Sequence, residues 1–173
     1  MWRVRLANNM LAPFSLVLTR IAILLGFHKP KPLFTKTEEQ EIVAAIAAAE
    51  ETTSAEIRVH ISTKSKHSDV LVEAKATFDR LGMHKTEERN GILLFLVPAN
   101  KQFAILGDVG INSKVVPEAW DQIRNRMQSH FKQQQFKEGV LFGIEQAGAL
   151  LSDHFQPRLT NPNELSNEIS TDA

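Results

Sequence analysis

The chain has 173 residues, with 20 Lys and Arg balanced by 20 Asp and Glu and no Cys. Zero net charge leaves no global field to draw a polyanion, which argues against a general nucleic-acid binder; the missing thiols exclude disulfides, thiolate metal sites and cysteine nucleophiles. A hydrophobic fraction of 43% with 23% charged residues is too apolar for a disordered chain, and the length suits one core plus tails.

Residues 1–29 form an apolar N-terminal segment that ends at Lys29-Pro30-Lys31-Pro32. Its apolar stretch, residues 10–27, lies between Arg3 and Arg5 on one side and Lys29 and Lys31 on the other. In outline this fits a signal sequence or a membrane anchor. Arg20 splits the run, however, and an Arg at mid-bilayer costs about 2.5–3.5 kcal/mol. Pro13 interrupts it too, and no small-x-small cleavage site follows. An interfacial amphipathic helix and a true start at Met10 are the competing readings. Membrane contact through residues 10–27 is therefore one expectation among three.

The next elements are read from local signals. Thr35-Lys36-Thr37-Glu38 is a capping box that opens a helix running to about Glu51, with Ile42, Ala45, Ile46 and Ala49 on one face. Residues 56–62 alternate: Ile57, Val59 and Ile61 point one way, and Glu56, Arg58, His60 and Ser62 the other. That pattern predicts a half-buried strand. Ser68 is placed to cap a second helix, striped by Leu71, Ala74, Phe78 and Leu81 and stopped by Gly82.

Residues 92–97 are an unbroken apolar run, as in a central strand covered on both faces. A turn at 98–101 and a strand at 102–107 complete a hairpin. Pro117 suits the first turn of a third helix, striped by Val116, Trp120, Ile123, Met127 and Phe131. A fourth carries Leu141, Ile144, Gly148, Leu151 and Phe155, with Gly148 allowing a neighbouring helix to approach closely. The strand-helix-strand part predicts a right-handed parallel crossover. The fold class is thus α/β: a small mixed sheet with a parallel β-α-β crossover and a hairpin, helices on both faces. This domain spans 30–156, and 157–173 follow as a flexible or surface-hugging acidic tail with only Leu159, Leu165 and Ile169 to bury.

Several ordered motifs resemble the TPM domain. They are Ser54-Ala55-Glu56-Ile57-Arg58-Val59, then Arg89-Asn90-Gly91-Ile92-Leu93-Leu94-Phe95-Leu96, then Phe103-Ala104-Ile105-Leu106-Gly107-Asp108-Val109-Gly110-Ile111. The Trp120 helix, Phe136 with Gly139, and His154-Phe155 complete the set, which covers residues 33–156. The tail residues Asn163-Glu164-Leu165 and Glu168-Ile169 are similar to those of the small stand-alone branch. The resemblance implies an α/β sandwich. It places members at membranes, in chloroplast thylakoids in connection with photosystem repair, and among stand-alone bacterial proteins, so this chain is expected in the bacterial cytoplasm or associated with a membrane. It attributes weak acid phosphatase activity to some members and calcium binding to others. This chain departs from the pattern: Arg89 stands where an Asp is common, Gly107 to Ile111 replace the usual turn, and Gln134 replaces a Gly.

Topology adds a separate expectation. Two parallel strands start at one sheet edge and the antiparallel third ends there. Glu56, Glu87, Glu88, Asn90 and Asp108 should therefore gather at that edge. Carboxylates with an amide carbonyl are hard donors suited to Ca²⁺ or Mg²⁺. A helix start near Ser113, helped by Lys114, would hold an anion beside them. Asp108, between Gly107 and Gly110, is the candidate catalytic residue, as metal ligand or base in metal-assisted phosphate-ester hydrolysis. The structural alternative is that Asp108 bonds nearby amides, Glu87 and Glu88 are solvated, and Asn90-Gly91 is a turn.

Other chemistry finds no support. Histidines 28, 60, 67, 84, 130 and 154 share no ligand spacing, and neither a Gly-x-Ser-x-Gly elbow nor a phosphate loop occurs. The expectation is a divalent-cation-binding or protein-interaction module with an unidentified protein partner, associated with a membrane or not; the rival is a weak phosphatase.

Overall fold

The computed structural model describes residues 32–63, 67, 69–160 and 162–172. Residues 10–27, and with them the expected membrane contact, lie outside these. No helix among the described residues is long and apolar enough to cross a membrane.

Helix α1 (Lys36–Glu50) opens on the expected capping box, with the Thr35 amide donating to Glu38 Oε2 at 2.8 Å and the Glu38 amide to Thr35 Oγ1 at 3.3 Å. Strand β1 (Glu56–Ile61) leads into α2 (Val70–Arg80), then β2 (Gly91–Val97) and β3 (Gln102–Gly107). The cap of α2 is Asp69, whose carboxylate accepts from the Leu71 amide; the expected cap, Ser68, lies outside the described residues. Gly82 follows α2 at φ +70°, the left-handed stop that its sequence position predicts.

The sheet order is β3-β2-β1-β4, where β4 is the short strand Ser170–Thr171. Strands β1 and β2 are parallel, with Glu56 opposite Gly91, whereas β2 and β3 are antiparallel, with Ile92 opposite Gly107. The crossover and the hairpin thus form the expected mixed α/β arrangement. One sheet face carries Ile57, Val59, Ile92 and Leu94 against α1 and against α4 (Pro117–Lys132) and α5 (Phe136–Ser152). The other carries Leu93, Phe95, Val97 and Ala104 against α2. All of β2 is buried, as an unbroken apolar run requires. Gly148 lets α5 approach α1: a Cβ there would meet the Ala49 Cβ at 2.8 Å.

Three features differ from the sequence reading. First, a short helix α3 (Val109–Lys114), capped by Asp108, precedes α4. The 107–111 stretch therefore begins a helix where a plain turn was expected. Second, β1 is buried along both faces except at Ile61, and is not half-buried. Third, within the C-terminal segment Ser170–Thr171 forms β4, parallel to β1, pairing His60 with Ser170 and Ile61 with Thr171, a strand absent from the sequence reading. The second and third differences share one cause. The polar side chains of β1 find their partners in this C-terminal segment, so the segment covers the face that alternation assigns to solvent.

Candidate functional site

The sheet edge where β1 and β2 begin and β3 ends is built by the backbone. The Asp108 amide donates to the Gly91 carbonyl at 3.0 Å, closing the hairpin at that edge. The loop ahead of β2 folds back on Thr86, whose carbonyl accepts from the Arg89 amide and whose hydroxyl accepts from the Asn90 amide. Arg89 sits at φ +53°, in the left-handed region that non-glycine residues rarely adopt. Gly110 then presses α3 onto this loop, its amide donating to the Arg89 carbonyl at 2.9 Å.

The expected residues do converge here, but their side chains are already engaged. Asp108 is buried and faces Arg89. The guanidinium donates from Nε to Oδ2 at 2.7 Å and from Nη2 to Oδ1 at 2.9 Å, a two-point ion pair. The Val109 amide adds a third donor to Oδ1 at 2.7 Å, as a helix cap. Asp108 thus serves as an ion-pair partner and cap, which matches the structural alternative.

Glu56 turns toward the C-terminal segment, where its two oxygens accept from the amides of Glu164 and Leu165, each at 3.0 Å. Burial raises its pKa, and these two amides work against that rise. Glu88 accepts from the Ser54 hydroxyl and from Arg158 Nη2. The Ser54 bond, ahead of the Arg158 contact, holds the Glu88 carboxyl below its ordinary range. Glu87 is exposed and pairs with Arg158 Nη1. Asn90 is fully buried and donates from Nδ2 to the Ser54 carbonyl at 2.8 Å.

Ser113 and Lys114, expected to hold an anion at a helix start, lie instead in the last turn of α3. The Ser113 hydroxyl donates to the Gly110 carbonyl. Lys114 donates to the His154 carbonyl at 3.2 Å and lies over the Phe155 ring. The α4 N-terminus begins at Pro117 with no side-chain cap.

The oxygen donors of this edge are already engaged within the chain. Both Asp108 oxygens and both Glu56 oxygens accept hydrogen bonds, and Arg89 already supplies the positive charge beside Asp108. Among the described residues, no group of three or more His, Asp or Glu side chains is placed to hold a metal. One observation points the other way: Asn90 Oδ1 is buried without a hydrogen-bond partner.

Sequence reasoning treated Arg89 only as a departure from a pattern. The signal was available in the hairpin register. Ile92 opposite Gly107 puts the residue just after β3 beside the loop just before β2. Arg158 and the C-terminal segment gave no local signal, because their partners lie far away in sequence.

Fold and edge together define a small α/β sandwich whose polar groups gather where the parallel strands begin. The family pattern described as the TPM domain matches residues 29–150. The chain belongs to the TPM-domain family. The solved structure of the BA42 protein from the psychrophilic bacterium Bizionia argentinensis is 42% identical, with a TM-score of 0.78, covering 83% of this chain and 99% of that one. Two more distant structures share the fold. The N-terminal domain of cg2496 from Corynebacterium glutamicum is 17% identical, with a TM-score of 0.56, covering 70% of this chain and 76% of that one. The N-terminal domain of a P. gingivalis protein is 19% identical, with a TM-score of 0.59, covering 71% and 79%. A search of curated proteins finds no match.

Proposed function

We propose that this TPM-domain chain is a protein-interaction module in which an internal guanidinium takes the place of a metal ion. The two-point pairing of Arg89 with the buried Asp108 carries this reading. A general base must reach the proton it abstracts, and a metal ligand must offer free oxygens. Arg89 and the Val109 amide occupy three of the lone-pair directions of Asp108, and the guanidinium supplies the positive charge that a metal would bring. Association with a membrane through residues 10–27 belongs to the same proposal. It predicts a membrane pool for the full chain that a chain starting at residue 30 loses.

The second reading, a divalent-cation site supporting weak phosphatase activity, is favoured by the unpartnered Asn90 Oδ1. Turnover of p-nitrophenyl phosphate separates the two. The interaction reading predicts that any turnover in the purified chain is unchanged by Asp108→Asn. Turnover that copurifies with the chain and falls at least tenfold in a folded Asp108→Asn variant would overturn it.

A further inference from the structure

The polar face of β1 has one consistent use. Its three polar side chains, and Ser62 just beyond its end, meet the C-terminal segment in order along the strand. Glu56 accepts from the amides of Glu164 and Leu165, and Arg58 Nη2 reaches the Glu168 carbonyl at 3.5 Å. His60 bonds the Ser170 hydroxyl through Nδ1 at 2.9 Å and Asp172 Oδ1 through Nε2 at 3.2 Å. Ser62 donates to Asp172 Oδ2 at 2.6 Å, and the Thr63 amide to the same oxygen at 3.2 Å. Glu50 adds a side-chain bond to Asn167. Two backbone pairs of β4 extend the sheet at the upper end, in the manner of an extended peptide added to a sheet edge.

The segment is held as a ligand is held. Only Leu165 and Ile169 pack against apolar cores, and both are half-buried. The stretch that joins it to the domain is exposed at Pro157, Leu159, Thr160, Pro162 and Asn163 and is tied to the domain at Arg158, which pairs with Glu87 and Glu88. Ser170, His60 and Asp172 stand in the order of a hydroxyl–imidazole–carboxylate relay. His60 is completely buried and stacked on Phe95, however, so no substrate can reach it. The trio fastens a strand.

The fit is also incomplete in cis. Arg58 is 8% exposed, yet its Nε has no hydrogen-bond partner, and its one bond to the segment is the longest of the set. A buried donor left unpaired disfavours the bound state. An extended segment that supplies an acceptor to Arg58 would compete well against the resident one. The groove is basic where it receives Asp172, with Arg80 Nη2 at 3.7 Å from that carboxylate.

We propose that the edge and polar face of β1 form a peptide-binding groove, occupied in cis by residues 164–172, that takes an extended acidic segment of a partner protein. The chemistry of the resident segment specifies that partner. It needs two apolar residues at the spacing of Leu165 and Ile169, a hydroxyl residue next to the second, and a carboxylate two residues beyond the hydroxyl. This names a ligand for the interaction reading and rests on it. The groove starts at Glu56, on the same sheet edge as the Arg89–Asp108 pair, and runs along β1, but its resident segment makes no hydrogen bond to Arg89 or Asp108, and its test reads peptide occupancy alone. A negative result here therefore leaves the Asp108 chemistry to be judged by its own experiments.

The probe is a fluorescein-labelled peptide of residues 163–173, titrated by anisotropy into the full chain and into a full-length Ser170→Ala, Asp172→Ala variant. Far-UV circular dichroism and tryptophan fluorescence check that the variant is folded. The expected result is binding to the variant at least tenfold tighter than to the wild type, lost at least tenfold when the peptide itself carries Asp172→Ala. Equal binding of the two peptides, or no gain in a folded variant, would overturn the proposal. If the variant does not fold, a protease site placed at the exposed Leu159-Thr160 step is cut after folding. Exchange of the severed segment for labelled peptide is then expected. Unfolding on cleavage, or a dimer that swaps segments and rejects free peptide, would also overturn it.

Discussion

Gly110 sets how closely α3 approaches the loop that carries Arg89, so Gly110→Ala perturbs the site without touching any of its charged groups. A Cβ at position 110 would lie 2.2 Å from the Glu88 carbonyl oxygen and 2.6 Å from that of Arg89. Both obstacles are backbone, tied down by the Thr86 bonds, so neither can swing aside like a side-chain end. Overpacking of this kind costs about 1–3 kcal/mol, and a rigid neighbour puts the cost at the upper end or beyond. Alanine in a helix recovers about 1 kcal/mol relative to glycine. The net expectation is a loss of at least about 2 kcal/mol, or roughly 4–8 °C in Tm for a chain of this size. Thermal unfolding by circular dichroism measures the loss. Amide NMR should show shifts spreading through residues 86–91 and 107–112, because the Arg89–Asp108 pair cannot keep its geometry. A variant as stable as wild type, with shifts limited to the immediate neighbours of residue 110, would refute the packing argument.

Two further outcomes follow from other parts of the molecule. Thr35→Ala removes half of the capping box of α1 and should lower stability by about 1 kcal/mol, read as a lower urea midpoint at constant slope; an unchanged midpoint would contradict it. The Glu50 carboxyl is pushed up to about 7 by burial, from the ordinary 4.5, although the Ile57 amide donates to its Oε1 at 2.8 Å. The folded chain therefore holds a proton there that the unfolded chain releases, and stability falls as pH rises through that window. Glu50→Gln keeps the acceptor without the charge. It should match wild type near pH 4.5 and exceed it above pH 7 by about 1–2 kcal/mol, after discounting for partial solvent exposure. Urea unfolding at pH 4.5 and pH 8 checks this, and equal stability at pH 8 would rule it out.

What the sequence reveals depends on how far apart the interacting residues lie. The Thr35–Glu38 box, the alternation of β1, the Gly82 stop and the apolar run of β2 are local signals, and each marks its element. The gathering of Glu56, Asn90 and Asp108 at one edge follows from strand directions alone. Side-chain commitments do not follow in the same way. Asp108 meets Arg89, Glu56 meets the amides of Glu164 and Leu165, and His60 meets Asp172, across gaps that no window of neighbouring residues spans. The charged face of β1 looks solvent-facing in sequence because its cover arrives more than a hundred residues later. Helix α3 is hidden for a different reason. Gly107-Asp108-Val109-Gly110 has turn composition, and only the Asp108 cap and the close approach of Gly110 make its continuation helical.

The account turns on whether Arg89 has taken the place of a cation beside Asp108. Titrating the full chain with calcium to millimolar concentration, followed by amide NMR, tests this most directly. The account predicts no saturable shifts at residues 87–90 and 108–114. Saturable shifts confined to those residues would show that a metal displaces the guanidinium, and would contradict it.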